Sequence, residues 1–309
     1  MLLVEKPRRA VKARIRVSGA NDPGNIPGPE PAGTHCHERM DTVMIIIGEK
    51  LNSTNKAARA AIESRDASFV HDMAKKQADA GAMYIDLNAG MFVEDEPEKL
   101  EWLAKTAQEA VDAPFSLDSP NAAALERALR VVRAKPIINS ITLERERYDS
   151  VLPLVLEYGT RVIALCMDDS GMPETTEERV AIADRLITGL TAKGVDISDI
   201  FIDPMVRPIG TGSHYGTVVL ETIRRVRSEF PEVHITCGLS NISFGLPARK
   251  VINQAFLIAA MTCGLDSAIL DPLDGRLMAF IYATEALLGK DDFCVNYLSK
   301  YREGLIDLP

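Results

Sequence analysis

From Val43 onward the chain alternates short, almost continuously apolar runs with longer stretches whose apolar residues recur every three or four positions. The short β-branched runs read as strands, and the periodic stretches as helices with one apolar face. Eight strands are predicted, at residues 43–48, 83–88, 115–118, 136–140, 161–167, 199–204, 234–240 and 267–272. Their unbroken apolarity suits strands covered on both faces. Helices are predicted at residues 68–80, 97–111, 121–133, 176–193, 217–230, 247–263 and 277–288. Asn121 is placed to cap one of these, and Pro247 to open the first turn of another.

Eight repeats of strand and helix form either a closed (β/α)8 TIM barrel or a doubly wound sheet. The number eight favours the barrel. Residues 45–55, after the first strand, hold one glycine and no G-x-G-x-x-G, and no Walker A motif occurs, so nothing marks a nucleotide-binding sheet. Residues 18–35, SGANDPGNIPGPEPAGTH, lack a hydrophobic period and cannot offset the entropy of ordering them. Residues 1–40 are therefore expected to be a disordered extension, with Met40 a natural start, and residues 41–309 to form the barrel.

Charge narrows the partners. The chain carries a net −9, yet residues 1–40 hold seven Lys or Arg against four Asp or Glu, so the barrel is more acidic than the whole. A body of that sign, without a cluster of cations beyond the first 16 residues, is unsuited to nucleic acid. No apolar run approaches the ~20 residues of a membrane helix. Five scattered cysteines (Cys36, Cys166, Cys237, Cys263, Cys294) without C-x-x-C, and five histidines without H-E-x-x-H, suggest neither a disulfide framework nor a metal site. A reducing cytoplasm is expected.

In a barrel the chemistry sits where the strands end. Those positions are Glu49 and Asn52, Asp86 and Asn88, Asp118, Asn139, Asp203, Ser240 and Asn241, and Asp271. A ring of carboxylates and carboxamides, with no nucleophile elbow and few cations, is suited to a planar ligand rich in N–H donors. A reduced pterin is such a ligand. Taken singly, Asp118 is also explicable as a capping residue, Asp203 and Asn139 as turn residues, and Asn241 as a left-handed turn residue.

The segments IIIGEKLNSTN, IDLNAG, SLDSPN, IINS, FIDPM and GLSNISFGLPARKVINQAF resemble the pterin-binding methyltetrahydrofolate:corrinoid methyltransferases, from about Ile45 to the C-terminus. The closing stretch is most similar to the branch that moves methyl groups from methylated substrates into the folate pool. The resemblance implies a pterin-binding TIM barrel whose substrate is tetrahydrofolate or 5-methyltetrahydrofolate. It places Asp118, Asn139, Asp203 and Ser240 on the pterin and Asn241 beside N5, where the methyl group is attached. Phe244 and Arg249 are expected near the benzoyl-glutamate tail. Glu49, Asn52, Asp86 and Asn88 are expected to support the ring rather than touch the ligand. The cobalamin is implied to arrive on a separate corrinoid protein, with this chain a homodimer that binds no metal of its own.

Two alternatives share these residues: a dihydropteroate synthase-like enzyme, which needs cations or free amides for its pyrophosphate, and a folate-binding protein without catalysis. Because residues 1–39 lack a core-forming pattern, their removal is expected to shift the melting temperature by less than about one degree. Differential scanning calorimetry of the two proteins checks this.

Overall fold

The computed structural model describes residues 43–306, so the extension expected at residues 1–40 lies outside them. Eight parallel strands appear in the expected order: β1 (Ile45–Asn52), β2 (Tyr84–Asn88), β3 (Phe115–Asp118), β4 (Ile137–Leu143), β5 (Arg161–Asp168), β6 (Ile200–Asp203), β7 (His234–Ile235) and β8 (Ser267–Leu270). Ten α-helices accompany them: α1 (Lys56–Ser64), α2 (Ala67–Asp79), α3 (Glu96–Ala110), α4 (Ala122–Leu129), α5 (Arg145–Tyr158), α6 (Thr176–Ala192), α7 (Tyr215–Glu229), α8 (Arg249–Cys263), α9 (Gly275–Leu287) and α10 (Val295–Arg302). No helix among the described residues is long and apolar enough to cross a membrane.

Three helices, α1, α5 and α10, go beyond those the periodicity picked out. Asn121 does cap α4, accepting the Ala123 amide at 3.0 Å. Pro247 does not enter a helix: α8 begins two residues later, after Ala248 takes a left-handed conformation (φ 51°). The seventh strand is the main departure. Instead of running to residue 240 it ends at Ile235, and Leu239–Ser243 coils into a 3₁₀ turn. The reason is the bond from the Asn241 amide to the Gly238 carbonyl (3.2 Å), which bends the chain over the barrel mouth.

The strands pair in the order β7-β6-β5-β4-β3-β2-β1-β8. A bridge from Gly238 to Ile269 and the Ile269 amide on the Cys237 carbonyl (2.9 Å) join β7 to β8 and close the barrel. Side chains alternate between two cores, as strand geometry requires. Ile47, Tyr84, Ile137, Ile163 and Phe201 fill the barrel interior, with Leu165 and Ile269 capping them below the mouth. The alternate positions, such as Leu51, Leu87, Leu117 and Ile202, pack outward against the helices.

A two-residue β7 cannot hold the seam alone. Asp266, 3% exposed just before β8, supplies the rest. Its carboxylate accepts the Ile235 amide at 2.7 Å and lies 3.0 Å from His234 Nδ1 and 2.9 Å from Arg227 Nη2, while its carbonyl accepts the Ile45 amide at 2.8 Å. Burial works against this charge, but the His234 bond and the Arg227 guanidinium outweigh it and hold the carboxyl below its usual range. Asp266→Ala is expected to cost about 3–5 kcal/mol at neutral pH, since it strands a buried amide and a cation. A carboxyl titrating lower in the folded than in the unfolded state stabilises above its unfolded pKa and ceases to do so as pH falls. Urea titrations should therefore show the stability gap between the two proteins narrowing as pH falls below the ordinary carboxylate range.

Candidate active site

Strand register builds the site. Asn52 stands opposite Asn88, Asn88 opposite Asp118, and Asp118 opposite Asn139, a single row across the C-terminal ends of β1 to β4. On the facing side, Asp203 ends β6, and the 3₁₀ turn after β7 carries Ser240 and Asn241. Together with Glu49, Asp86 and Ser140 these residues, Asn88 excepted, line one cavity of about 490 Å³. That lies within the usual range of small-molecule sites, about 300–1,000 Å³.

Each polar side chain on the floor is oriented by another. Asn88 Oδ1 accepts from Ser53 Oγ at 2.8 Å and from the Gly90 amide at 3.0 Å, which commits its Nδ2 to Asp118 Oδ2 at 2.8 Å. Asn88 thus aims Asp118 and stands behind the cavity wall. Asp86, 1% exposed, accepts from Ser116 Oγ at 2.8 Å and from Asn139 Nδ2 at 3.4 Å. That turns the Asn139 carbonyl oxygen toward the cavity as an acceptor. Asp203 accepts the Met205 amide at 2.7 Å, with Met205 in a left-handed conformation (φ 63°) that lets the loop fold back. Asn52 accepts from the Thr54 amide and hydroxyl, and so shapes the mouth as well as lining it.

The electrostatics follow from placing carboxylates away from water. Burial raises Asp118 to about 6, with Glu96 adding to the rise and the Asn88 bond opposing it. Burial likewise raises Asp203 to about 6 and outweighs its bond from the Met205 amide. Asp86 is pushed well above its ordinary value by burial and then by Asp118. Glu49 rises to about 7 through burial and the nearby Asp271.

Cations brace the rim instead of neutralising the cavity. Arg147 donates to the Ser140, Pro120 and Ser119 carbonyls at 2.8, 2.6 and 2.7 Å and ties the loop after β3 to β4. Arg179, fully buried on α6, donates to the Pro204 and Met205 carbonyls, each at 2.9 Å, behind Asp203. Arg249 donates to the Ser240 carbonyl at 2.7 Å and to Ser243 Oγ at 3.1 Å, fixing the turn that holds Asn241. Arg249 and Phe244 therefore do not line the main cavity. Arg249 lines a smaller adjoining pocket of about 210 Å³, and Phe244 is 66% exposed. Lys50 is the one cation lining the main cavity among the described residues, and it is paired with Asp271 at 2.9 Å. Sequence reasoning missed Lys50, Ser140, Arg147 and Arg179, and it expected Arg249 near a ligand tail, not as a brace of the turn. Lys50 and Ser140 adjoin quoted strand-end residues, whereas the arginine braces leave no local signal.

A family model described as pterin binding enzyme matches residues 48–271, from within β1 to just past β8. The methylcorrinoid:tetrahydrofolate methyltransferase of Eubacterium limosum is 39% identical over 265 residues, which is 85% of this chain and 98% of that protein. The methionine synthase of Mycobacterium tuberculosis is 36% identical over 243 residues, where this chain spans 20% of the longer protein. Among solved structures, the 7,8-dihydropteroate synthase of Vibrio fischeri superposes with a TM-score of 0.61 over 80% of this chain and 94% of that one, at 15% identity. That likeness concerns the fold alone. The barrel, its strand-end residues and the near end-to-end match thus converge: the chain belongs to the pterin-binding enzymes, in the branch that holds the methylcorrinoid:tetrahydrofolate methyltransferase.

Proposed function

We propose that the cavity binds a reduced folate by its pterin ring, and that the enzyme moves a methyl group between N5 of that folate and the cobalt of a corrinoid carried by a separate protein. The observation that carries this reading is the acidic cavity itself. Asp118, the Asn139 carbonyl and Asp203 offer acceptors around one space, matching a ring edge of amino and N–H donors. Ser240 and Asn241 line that space, and the side-chain carboxamide of Asn241 makes no hydrogen bond of its own among the described residues. It is therefore available to meet charge that develops at N5. Asn52, Asp86, Asn88 and Glu49 serve this arrangement from the floor and rim. Phe244 and Arg249, at the adjoining pocket, lie where a benzoyl-glutamate tail would leave the mouth.

The dihydropteroate synthase-like alternative fits less well, because a pyrophosphate leaving group needs cations and Lys50 is already paired with Asp271. A folate-binding protein without catalysis differs only in turnover. The deciding assay is anaerobic conversion of Co(I) to methylcobalt in the presence of methyltetrahydrofolate, run in both directions. The same reading has the chain working as a homodimer in a reducing cytoplasm, where Cys166, Cys237, Cys263 and Cys294 remain thiols. It also has the chain purifying colourless, with turnover only after a corrinoid is added.

Asp203→Asn is expected to bind methyltetrahydrofolate at least about tenfold more weakly by calorimetry, because a charge-assisted acceptor is lost. The same variant should be more stable than the wild type without ligand. A folded-state pKa near 6 lies above the unfolded value, so the stability that Asp203 contributes is complete at about pH 4 and lost as pH rises through about 6. Asn241→Ala should slow single-turnover transfer at saturating folate by about tenfold or more, beyond its effect on folate affinity. An unchanged single-turnover rate would remove Asn241 from the reaction.

A further inference from the structure

We propose that Glu49 carries the proton that N5 must lose or gain as the methyl group arrives or leaves, a role that rests on the folate–corrinoid reading above. The geometry begins with a bulge in β1. Gly48 pairs with Ile85 and Leu51 with Leu87, so β1 carries one more residue than β2 over this stretch. In a regular strand Glu49 and Asn52, three positions apart, would face opposite sides. Glu49, two residues past the interior Ile47, faces the cavity by alternation, and the bulge turns Asn52 in beside it. Such a bulge leaves a backbone amide without its ladder partner, and here Gln77 Oε1 accepts the Lys50 amide at 2.9 Å. Gly48 makes room for that side chain, since a Cβ there would stand 2.5 Å from the same oxygen. Three residues on two elements thus fix the backbone on either side of Glu49.

What Glu49 does not do is equally informative. Asp86, Asp118 and Asp203 each accept hydrogen bonds from the protein. The Glu49 carboxyl makes none among the described residues, and the nearby cations are engaged elsewhere, Lys50 with Asp271 and Arg249 with the Ser240 carbonyl and Ser243. A partly buried carboxyl held without a protein partner is free to exchange a proton with a ligand. Its position suits that exchange. Glu49 and Ser240 are shared by the main cavity and the adjoining pocket, so Glu49 stands between the space that Asn241 lines and a second pocket.

The charged groups facing it are Lys50 from β1, Asp86, Asp118 and Asp203 across the cavity, Asp271 and Asp274 after β8, and Arg249 and Lys250 from α8. Burial and Asp271 prevail over Lys50 and Arg249 and bring Glu49 to about 7, where either protonation state is within reach at neutral pH. When the folate receives the methyl group, the N5 lone pair forms the bond to carbon, the cobalt–carbon bond breaks with its electron pair left on cobalt, and the N5 proton passes to the Glu49 carboxylate. In reverse, protonated Glu49 returns the proton to N5 as Co(I) takes the methyl carbon.

Single-turnover rates at saturating folate, measured across about pH 6 to 8 in both directions, test this. In the wild type, transfer from methyltetrahydrofolate should fall as pH rises through about 7, and transfer to tetrahydrofolate should rise. Glu49→Gln should abolish both breaks and slow transfer by about 100-fold, while the dissociation constant for methyltetrahydrofolate stays within about threefold. Asp271→Asn, which keeps the Glu49 carboxyl, should move both breaks to lower pH. Wild-type rates and breaks in Glu49→Gln, or unmoved breaks in Asp271→Asn, would overturn the assignment. A wild-type protein that moves no methyl with any corrinoid would instead overturn the underlying reading, and this role with it.

Discussion

The whole arrangement depends on closing the sheet between β7 and β8, and that closure rests on one buried carboxylate. β7 contributes two residues, too few to hold a ladder by backbone bonds alone, and Asp266 gathers an amide, an imidazole and a guanidinium around the gap. Desolvating a charge is costly unless several partners meet it, and here they do. Once the seam is shut, Asp203 and the Ser240–Asn241 turn face the row formed by Asn52, Asn88, Asp118 and Asn139. Were it open, the same side chains would lie along two edges of an open sheet with no shared cavity.

The cavity in turn carries an energetic cost that its function explains. Asp86, Asp118, Asp203 and Glu49 all have their pKa values raised by burial, so the empty protein is less stable as pH rises through the range in which they ionise. The obvious remedy would be to place arginines among them. The chain instead directs Arg147, Arg179 and Arg249 to backbone carbonyls behind the rim. This stiffens the loops and leaves the carboxylates as unneutralised acceptors around the cavity. Stability is given up locally where binding requires it, as is usual for preorganised polar sites.

The likeness to dihydropteroate synthases at 15% identity shows how little the barrel alone says about chemistry. Eight parallel strands can hold many reactions at their ends. What marks this chain is which side chains occupy those ends: acceptors without free cations, and an unengaged carboxamide on a turn over the cavity.

Much of this was legible in the chain itself. The eight apolar runs determined the strands, because burial on both faces leaves no alternative composition, and the polar residues that end them were identifiable because barrels place chemistry there. Asp118, Asn139, Asp203 and Asn241 could be named from local motifs alone. Other features had no local signature. The short seventh strand, the bulge that turns Asn52 inward, the commitment of Asn88 to Asp118 and the bracing by Arg179 each join residues 25 or more positions apart or depend on register. Sequence determined which groups were available. Tertiary structure decided which of them face the ligand and which hold the others in place, because hydrogen-bond partners and burial are properties of neighbours in space.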